Sequence, residues 1–191
     1  MDEKDANDNL TGKRVTTSDY ASANYYYVNK SSLPKVYGGF NTSLSWKGFD
    51  LSAIFAYSIG GYIYNRDITM ILHNGSLEGR DWSTEILKRW TPENRYTDVP
   101  ALSTTSNNWN SASTRFLQNN SYMRLKNLTL SYDLPKQWIS KLALSSVQVF
   151  VQGDNLFTIH RNQGLDPEQG ITGITYYRYP AMRTISGGIN L

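Results

Sequence analysis

The chain ends in a stretch that alternates polar and apolar residues, Thr184-Ile185-Ser186-Gly187-Gly188-Ile189-Asn190-Leu191. Successive side chains of a β-strand point to opposite faces, so this pattern predicts a strand with one polar and one apolar face. The apolar face must meet either a protein core or lipid. In the second case the polar face lines a water-filled lumen. The choice between these two environments largely determines what the protein does.

Four further segments show the same period of two. They predict strands over residues 36–46, 49–64, 121–134 and 147–159. Lys47-Gly48 predicts a tight hairpin turn between the first two of these strands, and Gly60-Gly61 permits a bend within the second. Phe150 interrupts the alternation because it falls on the polar face of its strand. The tyrosine-rich segment 25–28 is a candidate for a short additional edge strand.

Short and long connections alternate between the predicted strands. Lys47-Gly48 and residues 135–146 are short, whereas residues 65–118 and 161–178 are long. Strands that zigzag through an outer membrane have short periplasmic turns and long outer loops, and a soluble sandwich has no reason for this segregation. The pattern therefore favours lipid on the apolar side.

Two helical segments are predicted within the connections. Ser83 caps a predicted helix at residues 83–90, which Pro92 ends. Pro135 opens a short helical turn at residues 136–142. Residues 1–35 are polar and predict a loop or tail.

The composition excludes several classes of protein. Charged residues make up 18% of the 191 residues, below the roughly 25% of soluble domains, and 14 residues are tyrosine, which suits strands and membrane interfaces. The net charge of +3 with no basic stripe gives no support for nucleic-acid binding. No cysteine is present, so disulfides and thiolate metal sites are excluded. No apolar run is long enough for a transmembrane helix.

The acidic N-terminus does not resemble a signal peptide, so either the protein is cytoplasmic or Met1 is not its true beginning.

The chemistry-bearing residues do not form a catalytic or metal-binding pattern. His73 and His160 are far apart and have no metal-binding spacing. Residues 5–9 faintly resemble a calcium loop but lack its glycine and its final glutamate. Asp166 and Glu168 form a carboxylate pair, but glycoside hydrolysis also needs a cleft and a defined separation. We therefore predict no catalytic residue, no metal site and no cofactor.

Aromatic residues have two interpretations. Four lie near predicted strand ends, where they form either an interfacial girdle or part of a core: Trp46, Phe49, Tyr62 and Tyr64. Three lie in the long connection, where they stack on sugar rings, contact a lid protein or pack within the loop: Trp82, Trp90 and Trp109. The apolar strand faces give the predicted lipid-facing set: Phe49, Leu51, Phe55, Tyr57, Leu128, Leu130, Tyr132, Val147, Val149, Val151, Ile185, Ile189 and Leu191.

Several ordered blocks resemble SusC/RagA-type TonB-linked outer-membrane transporters. The first is Ser121-Tyr122-Met123-Arg124-Leu125-Lys126-Asn127-Leu128-Thr129-Leu130-Ser131-Tyr132-Asp133-Leu134-Pro135. The second is Val149-Phe150-Val151-Gln152-Gly153-Asp154-Asn155-Leu156-Phe157-Thr158, which Gly164-Leu165-Asp166-Pro167-Glu168 follows. Shorter similar blocks lie at residues 37–40, 47–52, 89–94 and 179–184. The resemblance extends over residues 33–191. One departure is Leu191, where the family commonly ends in an aromatic residue.

The resemblance implies an all-β fold, namely a segment of an antiparallel up-and-down transmembrane β-barrel with long extracellular loops and a short loop helix. Residues 1–35 would be an extracellular loop or tail, and residues 36–191 the C-terminal part of the barrel, without plug or signal peptide. The whole protein would import glycans or peptides across the outer membrane of a Bacteroidetes-type bacterium. Its partners would be outer-membrane lipids, the rest of the barrel and plug, a SusD-like lipoprotein and TonB.

Two other functions remain open at this stage. A soluble extracellular β-sandwich would bind carbohydrate through exposed aromatic residues and would fold alone. A secreted hydrolase would need a convergent Asp/Glu pair in a cleft.

The barrel interpretation makes a prediction about the chain by itself. Five strands cannot close a barrel, which needs about eight, so two open edges would remain with unpaired backbone groups. We expect the chain produced alone to aggregate or to require detergent, as measured by size-exclusion chromatography. A monodisperse detergent-free monomer with a cooperative melt would contradict the interpretation.

Overall fold

The computed structural model describes residues 2–7, 9–17, 19–73, 75, 77, 79–103, 108–140, 144–164, 166–168 and 172–191. Ten strands are described: β1 Asp2–Lys4, β2 Leu10–Arg14, β3 Val36–Trp46, β4 Phe49–Ile59, β5 Tyr62–Asn65, β6 Leu117–Asn119, β7 Tyr122–Asp133, β8 Gln148–His160, β9 Ile174–Thr175 and β10 Thr184–Asn190. Two short α-helices are α1 Arg66–Ile71 and α2 Lys136–Ile139. Single 3₁₀ turns or helices lie at Thr84–Lys88, Asn108–Asn110 and Thr114–Phe116. The prediction of an all-β fold is confirmed.

The chain divides into two compact units. The first, here called the loop unit, comprises Met1–Asn29 and Asn65–Phe116. The second, here called the sheet unit, comprises Lys30–Tyr64 and Leu117–Leu191.

A five-stranded antiparallel sheet dominates the sheet unit. Its strand order is β10-β8-β7-β4-β3, so β3 and β10 are its edge strands. The predicted hairpin turn between β3 and β4 is confirmed, because Lys47 and Gly48 both have positive φ angles, of 48° and 86°. This conformation matches the twist of the flanking strands and is the one that favours glycine. A second, three-stranded sheet has the order β6-β5-β9.

The pairing register places the apolar side chains of all five strands on one face. Phe49 lies opposite Tyr132, which lies opposite Val149, which lies opposite Ile189. Side chains directly opposite each other share a face. Two aromatic pairs bridge neighbouring strands on this face: Phe40 with Phe55 at 4.7 Å and Phe49 with Tyr132 at 4.4 Å between ring centroids.

Most side chains of this apolar face are exposed in the part of the chain that the structure describes. Ile185 is 72% exposed, Val151 55% and Leu130 47%, whereas Ala53 and Leu125 are buried. An exposed apolar surface that spans five strands is far larger than the isolated patches that soluble monomers tolerate. The sheet therefore presents an uncovered apolar face.

Polar residues and glycines predominate on the opposite face, which also carries Ile54, Ala56 and Phe150. Phe150 lies on this face, as the sequence predicts, directly opposite Gly188. A Cβ atom on Gly188 would lie 2.9 Å from two carbon atoms of the Phe150 ring. The ring therefore covers a position that has no side chain, which explains how the polar face accommodates it.

A bulge interrupts the ladders that β7 forms with β4 and β8. Relative to β4, Lys126 is the additional residue on β7, because Ile54 lies opposite Asn127 and Phe55 opposite Leu125. Relative to β8, Asn155 and Leu156 lie against the single residue Lys126, so the additional residue there belongs to β8. On β8, Asn155 has a positive φ of 52° at the same level. A bulge redirects side chains that a regular strand would send to the other face.

Predicted and observed boundaries agree closely for the main strands and less well elsewhere. The second predicted strand is broken at Gly60-Gly61 into β4 and β5. The segment 25–28 is not a strand, so that prediction is wrong; the hairpin of β1 and β2 was not predicted. The helix predicted at 83–90 is a shorter 3₁₀ helix, which Ser83 caps as expected. Of the helical turn predicted at 136–142, residues 141 and 142 lie outside the described residues.

Helix α1 begins inside a connection that was predicted to contain a single helix. Asn65 caps it, because its side-chain oxygen accepts a hydrogen bond from the backbone N–H of Ile68 at 3.1 Å. Among the described residues, no helix is both long and apolar enough to cross a membrane.

Close approach of β3 and β4 makes Gly39 sensitive to substitution. A Cβ atom there would lie 2.8 Å from the backbone carbonyl oxygen of Phe55, which cannot rotate away. We expect Gly39→Val to cost about 1–3 kcal/mol of unfolding free energy. Urea unfolding followed by tryptophan fluorescence, with the protein held in lipid vesicles, measures the change.

Ser43→Val is the matched control, because Ser43 lies on the same strand and the same face. We expect that variant to stay within about 0.5 kcal/mol of the parent protein. Equal destabilisation of both variants would contradict the close packing at Gly39.

Candidate functional site: the polar face and its ionic cluster

Hydrogen bonds connect the polar side chains of β7 and β8. Asn127 donates to the Asp154 carboxylate at 2.8 Å, and Gln152 donates to the same carboxylate at 3.3 Å. Thr129 donates to the side-chain oxygen of Asn127 at 3.0 Å. These polar side chains of β7 and β8 are therefore brought together into one network around Asp154.

Further hydrogen bonds join polar side chains of the same face nearer the short connections. Gln148 donates to Asp133 at 2.9 Å, and Asn190 donates to the side-chain oxygen of Gln148 at 3.3 Å. Ser45 and Asp50 are hydrogen-bonded across the β3–β4 hairpin. Polar contacts thus extend over all five strands of this face.

Arg124 forms the centre of a buried ionic cluster at the other end of β7. Its Nη2 contacts Asp166 Oδ1 at 2.5 Å, and its Nη1 contacts Glu168 Oε2 at 2.9 Å. Its Nε donates to Thr158 Oγ1 on β8 at 2.9 Å. The side chains of Arg124 and Asp166 are only 4% and 5% exposed. All three nitrogens of the guanidinium are therefore engaged, as a buried charge requires.

Lys126 adds a second cation to the cluster. Its Nζ contacts the two Glu168 oxygens at 2.7 and 2.8 Å. Lys126 lies two positions after Arg124, and side chains two positions apart on a strand share a face, so both reach the Glu168 carboxylate. Because both side chains of this pair are about one-third exposed, water screens it.

Asp166 lies in the connection between β8 and β10, and its carboxylate bonds to backbone groups of this connection as well as to Arg124 of the sheet. Its carboxylate accepts the backbone N–H of Glu168 at 2.9 Å and that of Ala181 at 2.6 Å. Burial alone would raise the pKa of the Asp166 carboxyl, but these two N–H groups and Arg124 hold it below its ordinary value of 3.8. A lowered pKa means that the stabilisation is complete above pH 3.8 and is lost as the pH falls through the lowered value.

This geometry indicates a structural role for Asp166 and Glu168. A general acid needs a raised pKa, and a nucleophilic carboxylate needs free access to substrate. Asp166 has neither, because its pKa is lowered and its oxygens are occupied. No group of three or more candidate metal ligands occurs among the described residues.

The loop tryptophans each have a local environment within the loop unit. Trp82 donates from Nε1 to Nδ1 of the buried His73 at 3.1 Å. The Trp109 ring lies 5.0 Å from the guanidinium of Arg115. Trp90 is 43% exposed, as is Trp82. Burial also lowers the pKa of His73, which suits a neutral ring that accepts a hydrogen bond.

The remaining candidates have ordinary roles. The Asp5 carboxylate accepts the backbone N–H groups of Asn7 and Asn9, which forms the turn between β1 and β2; Asp8 lies outside the described residues. His160 is at the end of β8, and its Nδ1 lies 2.9 Å from the carbonyl oxygen of Asn162.

Sequence reasoning did not identify the ionic cluster. In the sequence, Arg124 and Lys126 belong to one family-like block, and Asp166 and Glu168 are a carboxylate pair within another. A signal was present, since two cations on one strand and two acids in a loop share the spacing i, i+2. Nothing in the sequence, however, shows that the loop returns to that strand.

The cluster predicts a strong dependence of loop docking on Arg124. Arg124→Met leaves the Asp166 carboxylate buried without its cation, which costs about 3 kcal/mol or more. Undocking of residues 161–183 should therefore increase on the order of a hundredfold. The rate of trypsin cleavage after Arg161, Arg178 or Arg183 measures it, because cleavage follows the open population.

Lys126→Met serves as the control. It removes a screened, partly exposed ion pair, which is worth about 1 kcal/mol or less. Similar cleavage of the two variants would show that burial of Arg124 does not hold the loop.

Known proteins resemble the chain in sequence and in structure. TonB-dependent receptor P3 of Formosa agariphila is 33% identical over 164 residues, which cover 80% of this chain and 16% of P3. TonB-dependent receptor SusC of Bacteroides thetaiotaomicron is 27% identical over 166 residues, which cover 86% of this chain and 16% of SusC. No protein-family model matches the chain.

A solved structure of the RagAB peptide importer in the closed-closed state superposes with a TM-score of 0.79 at 34% identity. The superposition covers 98% of this chain and 20% of that one. These relatives are receptors and importers, which confirms the prediction that the chain is not an enzyme. The chain spans only 16% to 20% of their length. It belongs to the SusC/RagA-type TonB-dependent receptors and corresponds to a part of such a protein.

Proposed function

We propose that the chain forms part of the barrel wall of an energy-coupled outer-membrane importer of bulky nutrients. One observation carries the proposal: a five-stranded antiparallel sheet has an exposed apolar face and a hydrogen-bonded polar face. Lipid on one side and a water-filled lumen on the other satisfy both faces at once. A soluble environment satisfies only the polar face.

The predicted lipid-facing residues support this assignment. All those within the five-stranded ladder lie on the apolar face: Phe49, Leu51, Phe55, Tyr57, Leu128, Leu130, Tyr132, Val149, Val151, Ile185 and Ile189. Leu191 follows β10 and is exposed. Val147 precedes β8, is buried, and accepts the backbone N–H of Leu134 on its carbonyl oxygen. We place the ladder residues and Leu191 against lipid, whereas the buried side chain of Val147 does not support a place in this set.

The loop arrangement supports an orientation. The connections from β3 to β4 and from β7 to β8 leave one end of the sheet, and those from β4 to β7 and from β8 to β10 leave the other. We assign the first end to the periplasm and the second to the exterior. In this assignment residues 1–35 form an extracellular loop or tail, and residues 36–191 the C-terminal part of the barrel.

Partners and cargo follow from the relatives. SusC and the RagAB peptide importer suggest a glycan or a peptide as cargo. We further propose a SusD-like lipoprotein as the lid, TonB as the source of energy, and the outer membrane of a Bacteroidetes-type cell as the location. The chain itself supplies barrel wall and loops, and the rest of the barrel and the plug complete the pathway.

Cysteine scanning tests the wall assignment, because the chain contains no cysteine. Val151→Cys and Leu51→Cys place a thiol on the apolar face, and Gln152→Cys and Ser52→Cys place one on the polar face. In outer-membrane vesicles we expect a water-soluble maleimide to label the second pair at least about tenfold faster, because a thiol in lipid does not ionise.

A lipid-soluble maleimide provides the control, since it should reach the apolar pair readily. Equal labelling of both pairs by the water-soluble reagent would contradict the proposal. Slow labelling of Val151→Cys in a detergent-free soluble protein would instead support the β-sandwich.

A further inference from the structure

A cleft lies beside the ionic cluster, where two strands part. β10 pairs with β8 only as far as Thr184 opposite Asp154, whereas β8 continues to His160. The segment before β10 diverges and leaves a cleft of about 490 Å³. This volume is in the range of sites for small ligands. Its walls include Phe157, Thr158 and His160 of β8 and Arg178, Pro180 and Arg183 of the segment.

The charges around this cleft do not balance. Arg124, Arg178 and Arg183 line it, and Asp166 is its one acidic lining residue among those described, so three positive charges minus one negative charge leave two positive charges. Asp166 offers nothing further to balance them, because both its oxygens are engaged by Arg124 and by backbone N–H groups. The excess charge therefore belongs to Arg178 and Arg183.

These two arginines are available to a ligand. Both are exposed. In the part of the chain that the structure describes, neither has an ion pair, whereas Arg124 is fully committed. A guanidinium presents donors in a fork that matches the two oxygens of a carboxylate, sulfate or phosphate. Two such forks in one cleft are suited to a single oxyanion or to two neighbouring ones.

The cleft also has an apolar side. The Phe157 ring is 44% exposed, and Pro180 lies among the lining residues. Pockets that combine apolar walls with a few charged groups bind the body of a ligand on the former and orient it with the latter. His160 is oriented by its contact with the Asn162 carbonyl, which can only accept a hydrogen bond; its Nδ1 therefore carries the proton.

We propose that this cleft is a binding site for an oxyanion-bearing ligand, held by Arg178 and Arg183 with its apolar part against Phe157. The same chemistry occurs in soluble acidic molecules and in lipid headgroups. If the ligand is cargo, the importer takes up acidic molecules, and that step rests on the proposed function. Binding of the oxyanion to the cleft does not depend on the proposed function.

Equilibrium binding of fluorescein-labelled tetra-aspartate tests the site, with the full chain in a neutral detergent. Removal of one charge-assisted hydrogen bond should weaken binding about tenfold or more, so Arg178→Gln/Arg183→Gln should raise Kd by at least that factor. The expected affinity of the parent protein also falls with added salt. Fluorescence anisotropy measures Kd, and circular dichroism verifies that the sheet is intact.

Arg161→Gln/Lys136→Gln is the matched control. It removes the same number of charges from exposed residues that do not line the cleft. We expect its Kd to stay within about twofold of the parent value. Equal weakening in the two double variants, or no weakening in either, would overturn the site. If the first double variant fails to fold, each single substitution is measured, and an unchanged Kd for both overturns it.

Nanodiscs of phosphatidylcholine, with and without phosphatidylglycerol, distinguish the two sources of the oxyanion. If lipid phosphate occupies the cleft, phosphatidylglycerol weakens tetra-aspartate binding more in the parent protein than in Arg178→Gln/Arg183→Gln. If the ligand is soluble, the lipid affects both proteins equally. Loss of transport with intact tetra-aspartate binding would count against the proposed function alone.

Discussion

The register of the five antiparallel strands determines which side chains meet on each face of the sheet. Because side chains alternate with period two, a slip of one residue in any strand would move its apolar set to the polar face. The observed pairs, from Trp46 opposite Phe49 to Val149 opposite Ile189, avoid such a slip across the whole sheet. One apolar surface and one hydrogen-bonded surface result from that single alignment. Both proposed environments, lipid and lumen, follow from it.

The bulge is the one place where the register changes within the described five-stranded sheet, and the charged residues gather there. Relative to β4, Lys126 is the additional residue of β7, and Arg124 lies just before it on the polar face. A buried guanidinium is costly unless every donor has a partner, and Arg124 meets this condition through Thr158, Asp166 and Glu168. The cluster therefore fixes the loop to the sheet with specificity, and the walls of the neighbouring cleft become defined. Arg178 and Arg183 remain outside this balance, so they are the residues with binding capacity.

The main strands were predictable because each carries its own pattern. Val36–Trp46 was predicted to the residue, and the hairpin at Lys47-Gly48 follows from the turn chemistry of a lysine and a glycine with positive φ. The short elements were not predictable. The β1–β2 hairpin has no alternation, and its turn depends on the Asp5 carboxylate, while residues 25–28 have strand-forming side chains but no strand to pair with among the described residues. Local preference alone does not decide such segments, because pairing provides most of the stability of a strand.

Local sequence patterns are enough to define the main strands, their two faces and, through ordered motifs, the family. These properties depend on local sequence, since period-two alternation and turn residues act over a few positions. Which distant charges meet depends instead on tertiary contacts. Asp166 and Glu168 lie in the connection after β8, yet they contact Arg124 on β7, and no local pattern predicts this contact. Burial then divides the arginines beside the cleft into two groups. Arg124 is buried and is neutralised within the cluster, because a charge removed from water needs a partner. Arg178 and Arg183 are exposed and remain open to a ligand.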